Sequence, residues 1–161
     1  MKKNHKHEPH KHSAVCSSRH KHLEEVEGLL VEADLKKTPF RVHLLELLKS
    51  VEKPLSALEI FTALDKQKAK HSFLFDRATV FRNVKMLAEK GVLLTSEFGT
   101  GAAHFSLKTA KHMHHIFCVK CEAIEAIDFC AVAPMIEQAK RKGYEVLSHR
   151  LELIGVCSSC R

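Results

Sequence analysis

No apolar run in the 161 residues approaches the roughly 20 that a bilayer-spanning helix requires, so a membrane span is excluded and no membrane partner is expected. The first residues, MKKNHKHEPHKH, also lack the apolar segment of a secretory signal, which predicts a cytoplasmic protein. Patterns that carry catalysis are missing as well. There is no Ser-His-Asp ordering, no glycine-rich phosphate loop and no carboxylate pair in a plausible cleft, so the chain is not expected to be an enzyme. Surplus positive charge is scarce over most of the length. Of the net +7, residues 1–22, with five Lys, one Arg and one Glu, hold +5, and the remainder carries only +2. Any affinity for nucleic acid must therefore rest on where charges are placed.

What is present divides the chain into three parts. Residues 1–22 hold six His and almost no apolar side chains, too little to offset ordering entropy, and are expected to be a disordered His/Lys-rich tail. That tail either collects divalent cations loosely or is a solvated arm or an appended remnant. Residues 23–108 read as helices and a hairpin. Leu23, Val26, Leu29 and Leu30 form a helical stripe; Thr38 caps and Pro39 opens a second helix through Val42, Leu45 and Leu48 to Val51. A capping box of Ser56 and Glu59 starts a third helix, expected to bury Leu58, Phe61 and Leu64. Asp76 caps a fourth, with Val80, Val84 and Leu87 inward and Gly91 at its end. This makes four helices before any strand. VLLTSEF and AAHFSL then flank a Gly99-Thr100-Gly101 turn, a hairpin signal. Helices followed by a hairpin are the winged-helix order, in which the last helix enters the DNA major groove. Its polar face offers Arg77, Thr79, Arg82, Asn83 and Lys85, side chains suited to phosphates and base edges. A solvated helix face is the plainer reading of the same charges.

Residues 109–161 change character: strand HIFCVKC, strand EAIEAIDF, a helix from Val132 to Lys142, and a long third strand YEVLSHRLELI. The fold class is α+β, a winged helix followed by a small α/β domain. Cys118 with Cys121 and Cys157 with Cys160 supply four thiolates in two tight loops, the tetrahedral set of structural zinc. Free thiols or a redox pair are the competing readings, and neither C-x-x-C has the strand-to-helix context of a thioredoxin-like motif. Cys16 and Cys130 are left over and read as unliganded. On an extended segment His112 and His114 share a face and His115 takes the other. His149 has the parity of Leu147, Leu151 and Leu153 and is expected to face inward, so three histidines on one sheet point to a second metal site.

The chain carries T-P-F-R at 38–41, S-A-x-E from Ser56, R-A-T-V-F-R-N-V at 77–84, E-K-G-V-L at 89–93, a His cluster before C-V-K-C, and H-x-L-E-L-I-G-V-C-S-S-C at its end. On these motifs it resembles the ferric uptake regulator family of metal-dependent repressors over nearly all of Leu23 to Arg161. It implies a homodimer whose winged helices bind a palindromic double-stranded operator and whose C-terminal domain dimerises and holds the metals. Cys118, Cys121, Cys157 and Cys160 would be the structural Zn2+ ligands, and Thr79, Phe81 and Arg82, with Arg41 among the flanking contacts, would meet DNA. Phe81 stands where the family usually has Tyr.

Departures from the family pattern bear on the sensed metal. Pro54, Ser106, Met113 and Ala126 stand where ligands of a hinge site are usual, so only His115 of that site remains. His112, His114 and His149 match a second, regulatory site, whose acid is left open among Glu137, Asp128 and Glu125. An imidazole-rich set suits zinc, nickel or cobalt, whereas iron sensing usually adds carboxylates. Zinc-responsive repression of metal-homeostasis genes is therefore the leading expectation, with Zn2+ favoured over Fe2+ at the regulatory site. An iron-responsive regulator stands second and a peroxide-responsive one third. From another class stands a zinc-stapled buffer or adaptor that does not touch DNA.

Overall fold

The computed structural model describes residues 25–161 apart from 52, 68–72, 100, 109–112 and 128. The reading of 1–22 as a disordered tail therefore lies outside the described residues. Helix α1 includes residues 25–32, followed by α2 (Pro39–Ser50), strand β1 (Leu55–Ser56), α3 (Ala57–Lys66), α4 (Arg77–Glu89), β2 (Leu93–Ser96) and β3 (His104–Leu107). The expected caps are in place. Thr38 Oγ1 accepts from the Arg41 amide at 3.3 Å. The Ser56 hydroxyl accepts from the Glu59 amide while Glu59 accepts from the Ser56 amide at 2.7 Å. Gly91, with φ of 70°, lets the chain leave α4, and the Val92 amide closes the end onto Leu87. These helices and the sheet of order β1-β3-β2 enclose one apolar core, in which Leu30, Leu44, Leu45, Ile60, Leu64, Val80, Val84 and Leu87 are fully or almost fully buried.

Two details depart from the expectation. β1 is a strand ahead of α3, where only helices were expected: Leu55 pairs with Phe105 and Ser56 with His104, so Ser56 is at once a strand residue and a helix cap. Leu58 is 49% exposed and Ile60 takes its place inside, because β1 turns α3 so that Ala57, Ile60 and Leu64 form the inner stripe.

The second sheet comprises β4 (His114–Cys118), β5 (Ile124–Ile127) and β6 (Glu152–Gly155), with α5 (Ala133–Arg141) between β5 and β6. Its order is β5-β4-β6, antiparallel on one side of β4 and parallel on the other. The third strand is much shorter than expected: among the described residues, 144–150 pair with no strand. The alternation proposed for them does not apply, and Leu147 is 86% exposed. α5 buries none of its side chains. The buried apolar cluster of this sheet is small: Phe117 and Ile124, joined by Phe98 from the wing. Phe98 has φ of 49°; its ring stacks on Phe117 at 5.5 Å and its amide donates to Glu152 Oε2 at 3.1 Å. The wing tip is thus docked on the second sheet. Among the described residues no helix is long and apolar enough to cross a membrane.

Candidate metal centres and nucleic-acid interface

β4 ends in Cys118, the turn after it carries Cys121, and the chain beyond β6 places Cys157 and Cys160 opposite, the last in a 3-10 turn (Ser158–Cys160). Parallel pairing of β4 with β6, which sets Cys118 beside Gly155, brings the two loops together. All four Sγ atoms lie within 4.8 Å of one another, and Cys121 and Cys157 are 3.7 Å apart. Sulfurs on a tetrahedral zinc with bonds of about 2.3 Å would be separated by about 3.8 Å, so the donor set fits that ion. Without an ion the thiols ionise unequally. The Cys157 amide, 3.3 Å from Cys118 Sγ, acts with the amides of Cys121 and Lys120 to bring Cys118 down to about 6. The Ala123 amide lowers Cys121, yet contact with Cys118 and Cys157 leaves it raised. Cys160 is pushed up to about 12 by Cys157 and Cys121. Four thiolates at this spacing repel, and a divalent cation removes that conflict.

A second cluster lies on the same sheet. His114, buried on β4, has one ring nitrogen within 4.8 Å of a ring nitrogen of His149 and of Cys130 Sγ. The two imidazole rings are 5.4 Å apart, and Cys130 Sγ is 3.6 Å from His149 Nε2. The pairing of His114 with Ile127 on one side and of His115 with Glu152 on the other carries the segments holding Cys130 and His149 to the two flanks of His114. Sequence reasoning left Cys130 aside, since a single cysteine with no spacing partner gives no signal; only the strand order exposes its role in the cluster. Of the other regulatory candidates, His112 lies outside the described residues, as does Asp128. His115 faces the opposite side of β4, beside Ala126, and Glu137 bonds Lys140 at 2.9 Å on the exposed face of α5. Neither belongs to the two clusters, and Glu125 is exposed and outside them too.

On the winged helix, Asp76 accepts from the Thr79 amide at 2.7 Å to start α4; hydrogen bonding to Thr79, with help from Arg82, holds its carboxyl below the usual range. Arg77, Phe81, Arg82 and Lys85 project into solvent from one side of α4, and Phe81 is 49% exposed. The Arg77 guanidinium sits 5.5 Å from the Phe61 ring centroid. Thr79 and Asn83 are half-buried. The Asn83 amide donates to the Thr79 carbonyl at 2.8 Å and accepts from Arg41 Nε at 3.1 Å, while Arg41 also donates to the Lys36 carbonyl. Arg41 and Asn83 are therefore tied to each other, linking the start of α2 to the middle of α4.

Comparison with known proteins fits these features. The model of the ferric uptake regulator family matches residues 32–154. The ferric uptake regulation protein of Neisseria gonorrhoeae is 30% identical, over 82% of this chain and 90% of its own length. A peroxide-responsive repressor of Staphylococcus epidermidis is 29% identical, over 92% of this chain and 97% of its own. The crystal structure of the Vibrio cholerae ferric uptake regulator superposes with a TM-score of 0.68 at 27% identity, covering 80% of this chain and 96% of that one.

Proposed function

The chain belongs to the ferric uptake regulator family, and from that premise we propose that it is a zinc-sensing member whose second metal is held by His114 and His149. Membership makes it a metal-responsive, DNA-binding transcriptional repressor that acts as a homodimer, not an enzyme. The zinc assignment rests on one observation. Neither described cluster contains a carboxylate: one is all sulfur, the other imidazole and sulfur. Such donors suit zinc, whereas manganese and iron sites draw on oxygen ligands. Iron-responsive regulation is the second reading, favoured by the likeness to the Neisseria protein.

When bound, a divalent ion supplies a centre that crosslinks its ligands. His114 belongs to β4, beside the segment joining the two domains, and His149 leads into β6, so their common engagement fixes these two segments relative to each other. His112, two residues before His114, is a further candidate from the sequence that lies outside the described residues. Phe98 and Glu152 transmit the position of the sheet to the wing. Arg77, Phe81, Arg82 and Lys85 then face the operator, with Thr79, Asn83 and Arg41 fixing how α4 is presented. Repression requires only that metal bind the DNA-competent dimer more tightly than the open one. We assign the protein to the cytoplasm, where its operator is found. Titrating the dimer, stripped of its second metal but retaining structural zinc, with zinc, iron or manganese while following operator binding tests the proposal. Activation by zinc at the lowest free concentration is expected; activation by iron with zinc inert refutes it.

A further inference from the structure

The three donors beside β4 come from three separate segments: His114 in the strand, Cys130 between β5 and α5, and His149 in the segment after α5. Each is shielded: His114 is 4% exposed and the other two are half-buried. Where the family pattern supplies an acid to this site, none of the acids considered from the sequence that the structure describes, Glu125 and Glu137, reaches the cluster. The position next to both imidazoles is taken by sulfur, 3.6 Å from His149 Nε2.

We propose that Cys130 is a thiolate ligand of the regulatory ion, forming with His114 and His149 a set of one sulfur and two nitrogens that selects zinc over iron and manganese. The inference rests on the reading that the second metal binds at His114 and His149, and adds to it the ligand that sets the selectivity. A thiolate is a soft donor. It favours zinc and its spectroscopic substitute cobalt, and it is a poor match for the oxygen-seeking manganese ion. A sulfur at this position changes the class of metal that the site prefers. Metal binding here displaces the Cys130 proton into solvent, as any thiol ligand requires.

Cobalt alone is the probe. The dimer holding its structural zinc is titrated with Co2+, and zinc content is followed throughout so that exchange at the four-cysteine site is recognised. The expected result is one cobalt per protomer with an intense sulfur-to-cobalt charge-transfer band in the near ultraviolet. Cys130→Ser should lose the band and weaken cobalt binding by more than the roughly 10–100-fold that loss of an outer-shell partner costs. Cys130→Asp should restore binding without the band and shift preference toward manganese. Should Cys130→Ser fail to fold, the wild-type band and the Asp variant decide. Cobalt that is lost in His114→Ala but shows no sulfur band, and binds equally to Cys130→Ser, overturns the role of Cys130 and leaves the His114–His149 reading intact. Absence of any cobalt beyond the retained zinc overturns both.

Discussion

Cys121→Ser removes one sulfur from the four-cysteine cluster at its exposed corner, where no core packing is lost with it. The consequence follows from how little else holds the second sheet. Among the described residues its buried apolar cluster is Phe117 and Ile124, with Phe98 reaching in from the wing. At about 1.5–3 kcal/mol each, these three contribute about 5–9 kcal/mol, an upper bound because unfolded chains already bury some surface. Structural zinc in small modules is worth about 10–16 kcal/mol at neutral pH. A zinc ion held there would thus stabilise the sheet more than these three side chains do, and a variant that cannot hold it should lose β4, β5 and β6, together with the dimer if, as the family resemblance implies, the second domain builds it. The winged helix has its own core, from Val26 through Leu107, and should remain folded. Elemental analysis, sedimentation and amide exchange read these outcomes separately: no tightly held zinc, monomers, and fast exchange over His114–Cys118 with protection kept over Arg77–Glu89. A Cys121→Ser protein that stays dimeric, keeps zinc and protects the amides of β4 would refute the reasoning.

Other perturbations test separate parts of the molecule. Ser56→Ala removes the capping box and should cost about 1 kcal/mol, lowering the melting temperature of the winged helix by about 4–8 °C in calorimetry. Phe98→Ala empties the contact between wing and second sheet, a loss of about 3–5 kcal/mol for a buried ring; amide exchange at Phe117 should accelerate while α2 and α3 stay protected. Arg82→Ala and Lys85→Ala should each weaken operator binding and reduce its salt slope by about 1 if each side chain meets one phosphate, a result read from affinity against salt concentration. The Asp76 cap is strongest when ionised. Because its folded carboxyl titrates below the ordinary range, that stabilisation is complete above ordinary aspartate values and fades as pH falls through the lowered folded value, a dependence that Asp76→Ala should abolish in pH-resolved unfolding.

What could be read from the sequence alone was local. Thr38 with Pro39, Ser56 with Glu59, and Gly91 after Leu87 are each complete within a few residues, so their geometry follows from short-range hydrogen bonding. The paired cysteines were legible for the same reason, since each half of the cluster is one tight loop. Features that depend on strand order were not. A two-residue β1 carries no periodicity, and its pairing with Phe105 and His104 is set by residues far along the chain. Alternation along YEVLSHRLELI suggested one long strand, but β4 offers a partner only from His115 to Cys118, so pairing begins at Glu152. The same register explains Cys130. β4 sits between β5 and β6, its two neighbours run in opposite directions, and the segments leaving β5 and entering β6 must therefore meet at the His114 end. A cysteine on one such segment and a histidine on the other are forced together by topology, which no spacing rule within either segment can reveal.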